Sequence, residues 1–197
     1  MDGKDPMPAT APHDTRFTYD DFLLFPDDGK RHEIIDGAHY VTPAPNTRHQ
    51  ELVGRLHLAI GNFLSANPAL GRIFLAPFDV IFTHHDVVEP DLLFIAGDQI
   101  DILTDRNVRG APALVIEILS KGTRKRDEQI KRHLFARGGV REYWVVDPEL
   151  DLIKVYRRLE DGTFPRAAEL SAEDRAVLST PLLPGFVLAL AELFRPT

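Results

Sequence analysis

The sequence predicts an α/β domain built around a mixed β-sheet, and three stretches predict it. Residues 47–66 carry Leu52, Leu56, Ile60 and Phe63 as one stripe at helical spacing, with Val53 and Leu64 beside it. Val87 to Ile95 and Ala113 to Ser120 read instead as short, buried strands, apolar and β-branched, bounded by proline or polar loops. Helices and strands alternating along 197 residues give enough chain for one domain with a real core.

The other elements follow in order. Thr18 is placed to cap a short helix through Phe25, and Pro26 to Gly29 make a turn. Arg31 to Asp36 and Ala38 to Thr42 read as a hairpin about Asp36-Gly37, a dipeptide suited to the positive φ angles of a tight turn. Pro43-Ala44-Pro45 breaks the chain, Asn46 or Thr47 opens the long helix, and Asn67-Pro68 ends it. Strands are expected at Arg72 to Leu75, Phe78 to Thr83 and Val87 to Ile95, with one helical turn near Asp98 to Leu103. After the strand holding Glu117 comes a helix from Arg124 to Arg137, which Gly138-Gly139 ends. Val140 to Asp147 and Leu152 to Arg158 are strands, as are short pieces at Ala176 to Leu178 and Phe186 to Ala189, before a terminal helical turn. Residues 1–16 hold three prolines and no apolar core, so they read as a mobile tail rather than a signal peptide, and 17–197 as a single domain.

Composition is that of a globular protein, 44% apolar and 27% charged. Without cysteine there is neither a disulfide framework nor a thiolate metal site, which suits a cytoplasmic location. No apolar run approaches membrane-spanning length. The net charge of −7 argues against a general polyanion binder. Its distribution is uneven. Lys121 to Arg141 hold eight basic residues against Asp127 and Glu128, a local +6 that leaves −13 on the rest. Arg124, Lys125 and Arg126, consecutive within this run, are candidates for holding nucleic-acid phosphates.

The basic run adjoins two misplaced charges. Glu117 sits inside Ala113 to Ser120, and Asp91 inside Val87 to Ile95. A lone carboxylate in an apolar strand is costly unless a cation or hydrogen bonds compensate. Two such carboxylates, with the carbonyl of Ile118 beside them, are hard oxygen donors of the kind Mg2+ or Mn2+ takes while keeping several waters. Glu89, two residues before Asp91, would share its strand face as an accessory ligand. A lysine completes the set. Leu119 takes the strand position two beyond Glu117, so the candidates are Lys121, just past the strand, and Lys131, on the inward edge of the following helix. Glu33, mid-strand, and His49, in phase with Leu52 and Leu56, are further accessory candidates. Asp91, Glu117 and Lys131 together fit metal-dependent cutting of phosphodiesters. No glycine-rich phosphate loop or Gly-x-Ser-x-Gly elbow is present, and His84 and His85 would point to opposite strand faces.

An ordered series of motifs resembles the Uma-type restriction-endonuclease family of the PD-(D/E)XK nuclease superfamily. The pieces are His32 to Gly37, Pro45 with His49, Glu89 to Leu92, Pro112 to Ser120, Arg124-x-x-Asp127-x-x-x-Lys131 and Gly139 to Pro148. The resemblance implies a restriction-endonuclease-like fold with an αβββαβ-type core. It implies Asp91 and Glu117 as metal ligands, and a lysine moved from the strand onto the next helix, here Lys131. It also implies magnesium-dependent hydrolysis of DNA, contacted through its phosphates, and leaves open a homodimer. One departure is Lys121, where such proteins commonly have proline; it adds a second candidate lysine. The competing expectation is a non-catalytic nucleic-acid-binding or interaction module that keeps the fold.

Overall fold

The computed structural model describes residues 16–196. The expected tail therefore lies outside the described residues, except for Arg16. Thr18 caps helix α1 (Tyr19–Phe22) through a reciprocal pair with Asp21, and the helix ends three residues sooner than expected. Strands β1 (Arg31–Ile35) and β2 (Ala38–Thr42) form the hairpin. Its turn puts Asp36 at φ 52° and Gly37 at φ 77°, the two positive angles that this dipeptide tolerates. Helix α2 (Thr47–Ala66) starts at Asn46, whose side chain accepts from the His49 amide. Its buried face is His49, Leu52, Leu56, Ile60 and Leu64.

Next come β3 (Gly71–Leu75), β4 (Val80–Thr83), β5 (Asp86–Val88) and β6 (Leu92–Ala96). A 3-10 segment (Gly97–Ile102) and β7 (Val108–Arg109) lead to β8 (Leu114–Ile118). One stretch of π-helix (Arg126–Lys131) runs into α3 (Arg132–Gly138), and then β9 (Glu142–Asp147) and β10 (Leu152–Arg157) follow. The chain closes with β11 (Ala168–Ser171), β12 (Val177–Leu178), β13 (Leu188–Ala189) and α4 (Leu190–Leu193).

The strands form a six-stranded mixed sheet ordered β11-β10-β9-β8-β6-β3, a five-stranded sheet ordered β2-β1-β5-β4-β7, and the ribbon β12-β13. In the larger sheet β8 and β9 run parallel, with the π-α3 helix as their crossover, and the other neighbours are antiparallel. One face packs on α2 and α4 through Leu56, Leu92, Ile116, Trp144 and Leu190. The other packs on α3 and the smaller sheet through Leu93, Val115, Leu134, Phe135 and Tyr143.

One expected strand divides in two. Val87 to Ile95 is not continuous: β5 belongs to the five-stranded sheet and β6 to the six-stranded one. Pro90 lacks an amide for a ladder, so Glu89-Pro90-Asp91 makes the crossing between sheets. This places Asp91 at the seam. It also removes the common strand on which Glu89 and Asp91 were expected to share a face.

Candidate active site

The site forms just before β6 begins, where β8 runs on past it. Leu92 pairs with Ile116 and Leu93 with Val115, so Asp91 falls opposite Glu117 with both side chains on the Leu93–Val115 face. Asp91 is 4% exposed and Glu117 3%. Beyond the first residue of β6 the Ile118 amide has no partner on that strand, and it donates instead to Asp91 Oδ2 at 2.8 Å. In a strand a residue's carbonyl points to the same side as its amide, so the Ile118 carbonyl also turns toward this opening.

Each carboxylate has a cation. Arg31 Nη1 donates to Asp91 Oδ1 at 2.7 Å, and His49 Nε2 lies 3.0 Å from Asp91 Oδ2. Burial opposes ionisation of Asp91, but the His49 hydrogen bond, Arg31 and the Ile118 amide overcome it and hold its pKa at about 2. Lys131 Nζ sits 2.7 Å from Glu117 Oε1 and 2.7 Å from Glu33 Oε1, and is itself 2% exposed. Burial pushes the Glu117 carboxyl well up, with Lys131 opposing and the charges of Asp91, Asp127 and Glu33 adding to the push. Burial would discharge Lys131, yet Glu117, Glu33 and Asp127 raise it above its ordinary value. Asp127, one helical turn from Lys131 and 3.9 Å from its Nζ, is pushed up to about 6 by burial.

These groups line a cavity of about 190 Å3. Asp91, Glu117, Ile118, Lys131, His49 and Arg126 all belong to its wall. Arg126 Nη2 is held by Thr42 Oγ1 at 2.6 Å and lies 3.6 Å from Glu33 Oε2, with its guanidinium over the Tyr40 ring. Glu33 stands behind Lys131 and accepts from the Glu89 amide at 3.0 Å; it does not touch His49. Glu33 Oε2 and Asp127 Oδ1 are buried without a hydrogen-bond partner.

Other expected residues lie apart. Glu89 faces a neighbouring recess rather than the cavity wall, and burial pushes its carboxyl up to about 7. Lys121 and Lys125 are exposed and outside the cavity wall. Arg124 is occupied by Asp147 at 2.5 Å and Glu149 at 3.1 Å, at the C-terminal end of β9. So Arg124, Lys125 and Arg126 do not line the cavity together; of the three, Arg126 alone belongs to its wall. Sequence reasoning missed Arg31, although its signal was there: Arg31 and Glu33 stand two apart in β1 and so share a face.

Asp91, Glu117 and the Ile118 carbonyl offer hard oxygens; among the described residues no group of three or more His, Cys, Asp or Glu side chains is arranged to hold a metal ion. Two carboxylates with room for water suit Mg2+, which keeps several of its waters, better than they suit a cation needing a full protein cage.

A solved structure shares this architecture. It is described as a putative nuclease of the DUF820 family from Anabaena variabilis, 22% identical, with a TM-score of 0.76 over 90% of this chain and 97% of that one. A mixed sheet flanked by helices, with an acid–lysine cavity at its strand ends, is the restriction-endonuclease-like class of fold. Within that class the chain belongs to the Uma2 family, described as "Putative restriction endonuclease", whose model matches residues 19–191. Comparison with curated proteins gives no match.

Proposed function

We propose that the protein is a magnesium- or manganese-dependent nuclease that hydrolyses DNA phosphodiester bonds. The observation that carries this reading is the facing pair Asp91 and Glu117, on one cavity wall with a buried lysine 2.7 Å from Glu117. The nuclease family and fold support it. Asp91, Glu117 and the Ile118 carbonyl would hold the metal. When bound, the metal supplies a water of lowered pKa and positive charge against the phosphate.

The chain's own residues do the rest. His49 and the Ile118 amide fix the orientation of Asp91. His49 and Arg31, against the cost of burial, keep Asp91 ionised. Lys131 stays charged and fixed, able to orient a water or neutralise a phosphate oxygen. Arg126 lies on the cavity wall, where it would contact a neighbouring phosphate, a contact that positions a strand without reading sequence.

One observation favours a second reading. Asp91 and Glu117 each already have a cation, as a non-catalytic nucleic-acid-binding module would require. Magnesium separates the two. A rise in melting temperature with magnesium, lost in Glu117→Gln, together with magnesium-dependent cutting of plasmid DNA, supports the nuclease. DNA binding with neither effect supports the module.

A further inference from the structure

Beside the carboxylate cavity lies a second and larger recess, of about 450 Å3 against about 190 Å3. The two share Arg31, His49, Asp91 and the Thr42–Pro45 segment, so the recess opens directly next to the place where a scissile phosphate would sit. The smaller cavity has room for a phosphate group and waters; the larger is of the size that small organic ligands occupy.

The walls differ too. Pro43, Pro45, Pro77 and Val53 give the recess an apolar part of its lining. Gln50, on the exposed side of α2, supplies a hydrogen-bonding amide to its lining, and the Asp27 and Glu89 carboxyls add acceptors; Lys30 also borders it but is held by Asp28 at 2.9 Å. A nucleobase needs that combination: apolar surface against its two faces and polar groups at its rim. Resting on the nuclease reading above, we propose that this recess is a nucleobase subsite, and that the substrate is a nucleic-acid strand with an unpaired nucleotide beside the cut.

Burial leads to the same substrate. Asp91, Glu117 and Lys131 are each under 5% exposed, below a rim formed by the exposed Pro43-Ala44-Pro45 segment. A regular duplex turns its bases inward, toward each other. It can lay a phosphate across the cavity mouth but leaves the recess empty. A single strand, a gap or a flipped nucleotide fills both spaces at once. Extrusion costs least where the base is already unpaired, which sets the preference.

The test compares three oligonucleotides of one length: a single strand, a perfect duplex and a duplex with a one-nucleotide bulge. Fluorescence anisotropy in calcium reads binding, and cleavage is followed separately in magnesium. The parent is expected to bind the single strand and the bulged duplex about 10-fold tighter than the perfect duplex or better. Val53→Phe fills the recess from α2 and Gln50→Ala removes an edge contact without touching the core. Each should shrink that ratio to about 2-fold while affinity for the perfect duplex and the magnesium-induced melting shift stay unchanged. A parent that binds and cuts perfect duplex as well as unpaired strands, with a ratio insensitive to both substitutions, overturns the subsite and leaves the nuclease standing. Absence of binding to every oligonucleotide, with no magnesium shift, overturns both.

Discussion

Replacing Lys131 by methionine is the most informative perturbation of the site. Methionine keeps the length of the stem and removes the charge. Lys131 Nζ is the cation 2.7 Å from both Glu33 and Glu117, and the 3.9 Å neighbour of Asp127. Its loss leaves three carboxylates, each 3% exposed or less, around an empty position. Removing one partner of a buried ion pair costs about 3–5 kcal/mol, because the remaining charge is uncompensated. That is a large part of the 5–15 kcal/mol typical of a domain. The carboxyls have one escape: they take up protons. Without Lys131 the folded pKa values of Glu117 and Asp127, already raised by burial, rise further above the unfolded value, so the native state binds more protons than the unfolded one and stability falls as pH rises. The penalty should thus be full at pH 8 and vanish as pH approaches the unfolded carboxylate value of about 4.3. Urea melts in chelator-containing buffer at pH 5 and pH 8 measure it. Glu33→Gln in the same background removes one of the stranded charges while keeping an oxygen for the Glu89 amide, so the double mutant should be more stable than Lys131→Met alone at pH 8. A Lys131→Met protein as stable as the parent at pH 8, or equally damaged at both pH values, refutes the buried-charge account.

Three further outcomes are expected. Glu117→Gln keeps an oxygen to accept from Lys131, so the fold should persist while the magnesium-induced melting shift and cleavage disappear; retained cleavage in a plasmid assay would remove Glu117 from the reaction. Lys121→Ala, exposed and outside the cavity, should weaken DNA binding and flatten its salt dependence with turnover at saturating DNA within about 2-fold, whereas Lys131→Ala should lower single-turnover cleavage roughly 100-fold or more. Glu89, pushed from 4.5 to about 7 by burial, costs stability as pH rises through that interval. Glu89→Gln without metal should therefore melt above the parent at pH 8 and level with it near pH 4.5; a difference that does not change with pH would dismiss the raised carboxyl.

The sequence disclosed those features whose cause is local. Asp36-Gly37 fixes its hairpin because few dipeptides tolerate two positive φ angles. The stripe of α2 is legible because a helix over one sheet face needs such a stripe. Asp91 and Glu117 are conspicuous because charge inside an apolar run is expensive wherever it falls. What escaped depends on distant partners. Val87-Val88 and Leu92 to Ile95 are equally apolar, so nothing in their hydrophobicity says that they enter different sheets; Pro90 is the sole mark of the crossing. Strands β7 and β11 are short and partly exposed, and take their form from neighbours far along the chain. Arg31 reads as an ordinary strand-end arginine until β1 is set beside Asp91. The π-helical stretch changes which carbonyl each amide meets and leaves no trace in the pattern of residues.

That stretch explains why the lysine stands where it does. Just past β8, two residues beyond Glu117, stands Leu119, which is buried in the core formed with Leu134 and Phe135. A lysine there would give up that packing and still approach Glu117 only from along the same strand. The helix offers a route from above. In a π-helix the backbone is wider, and both Asp127 and Lys131 are turned inward, each 2% exposed. Lys131 then spans the two sheets, for Glu33 lies on β1 of the smaller sheet and Glu117 on β8 of the larger. Its ammonium is fixed from two directions by elements that do not otherwise pair. Such double anchoring gives the ammonium the fixed geometry that its proposed role at a phosphate requires. Arginine would not replace it. The space between Glu33 and Glu117 receives one compact ammonium at 2.7 Å from each, and a planar fork with five donors has a different shape and a different set of partners to find.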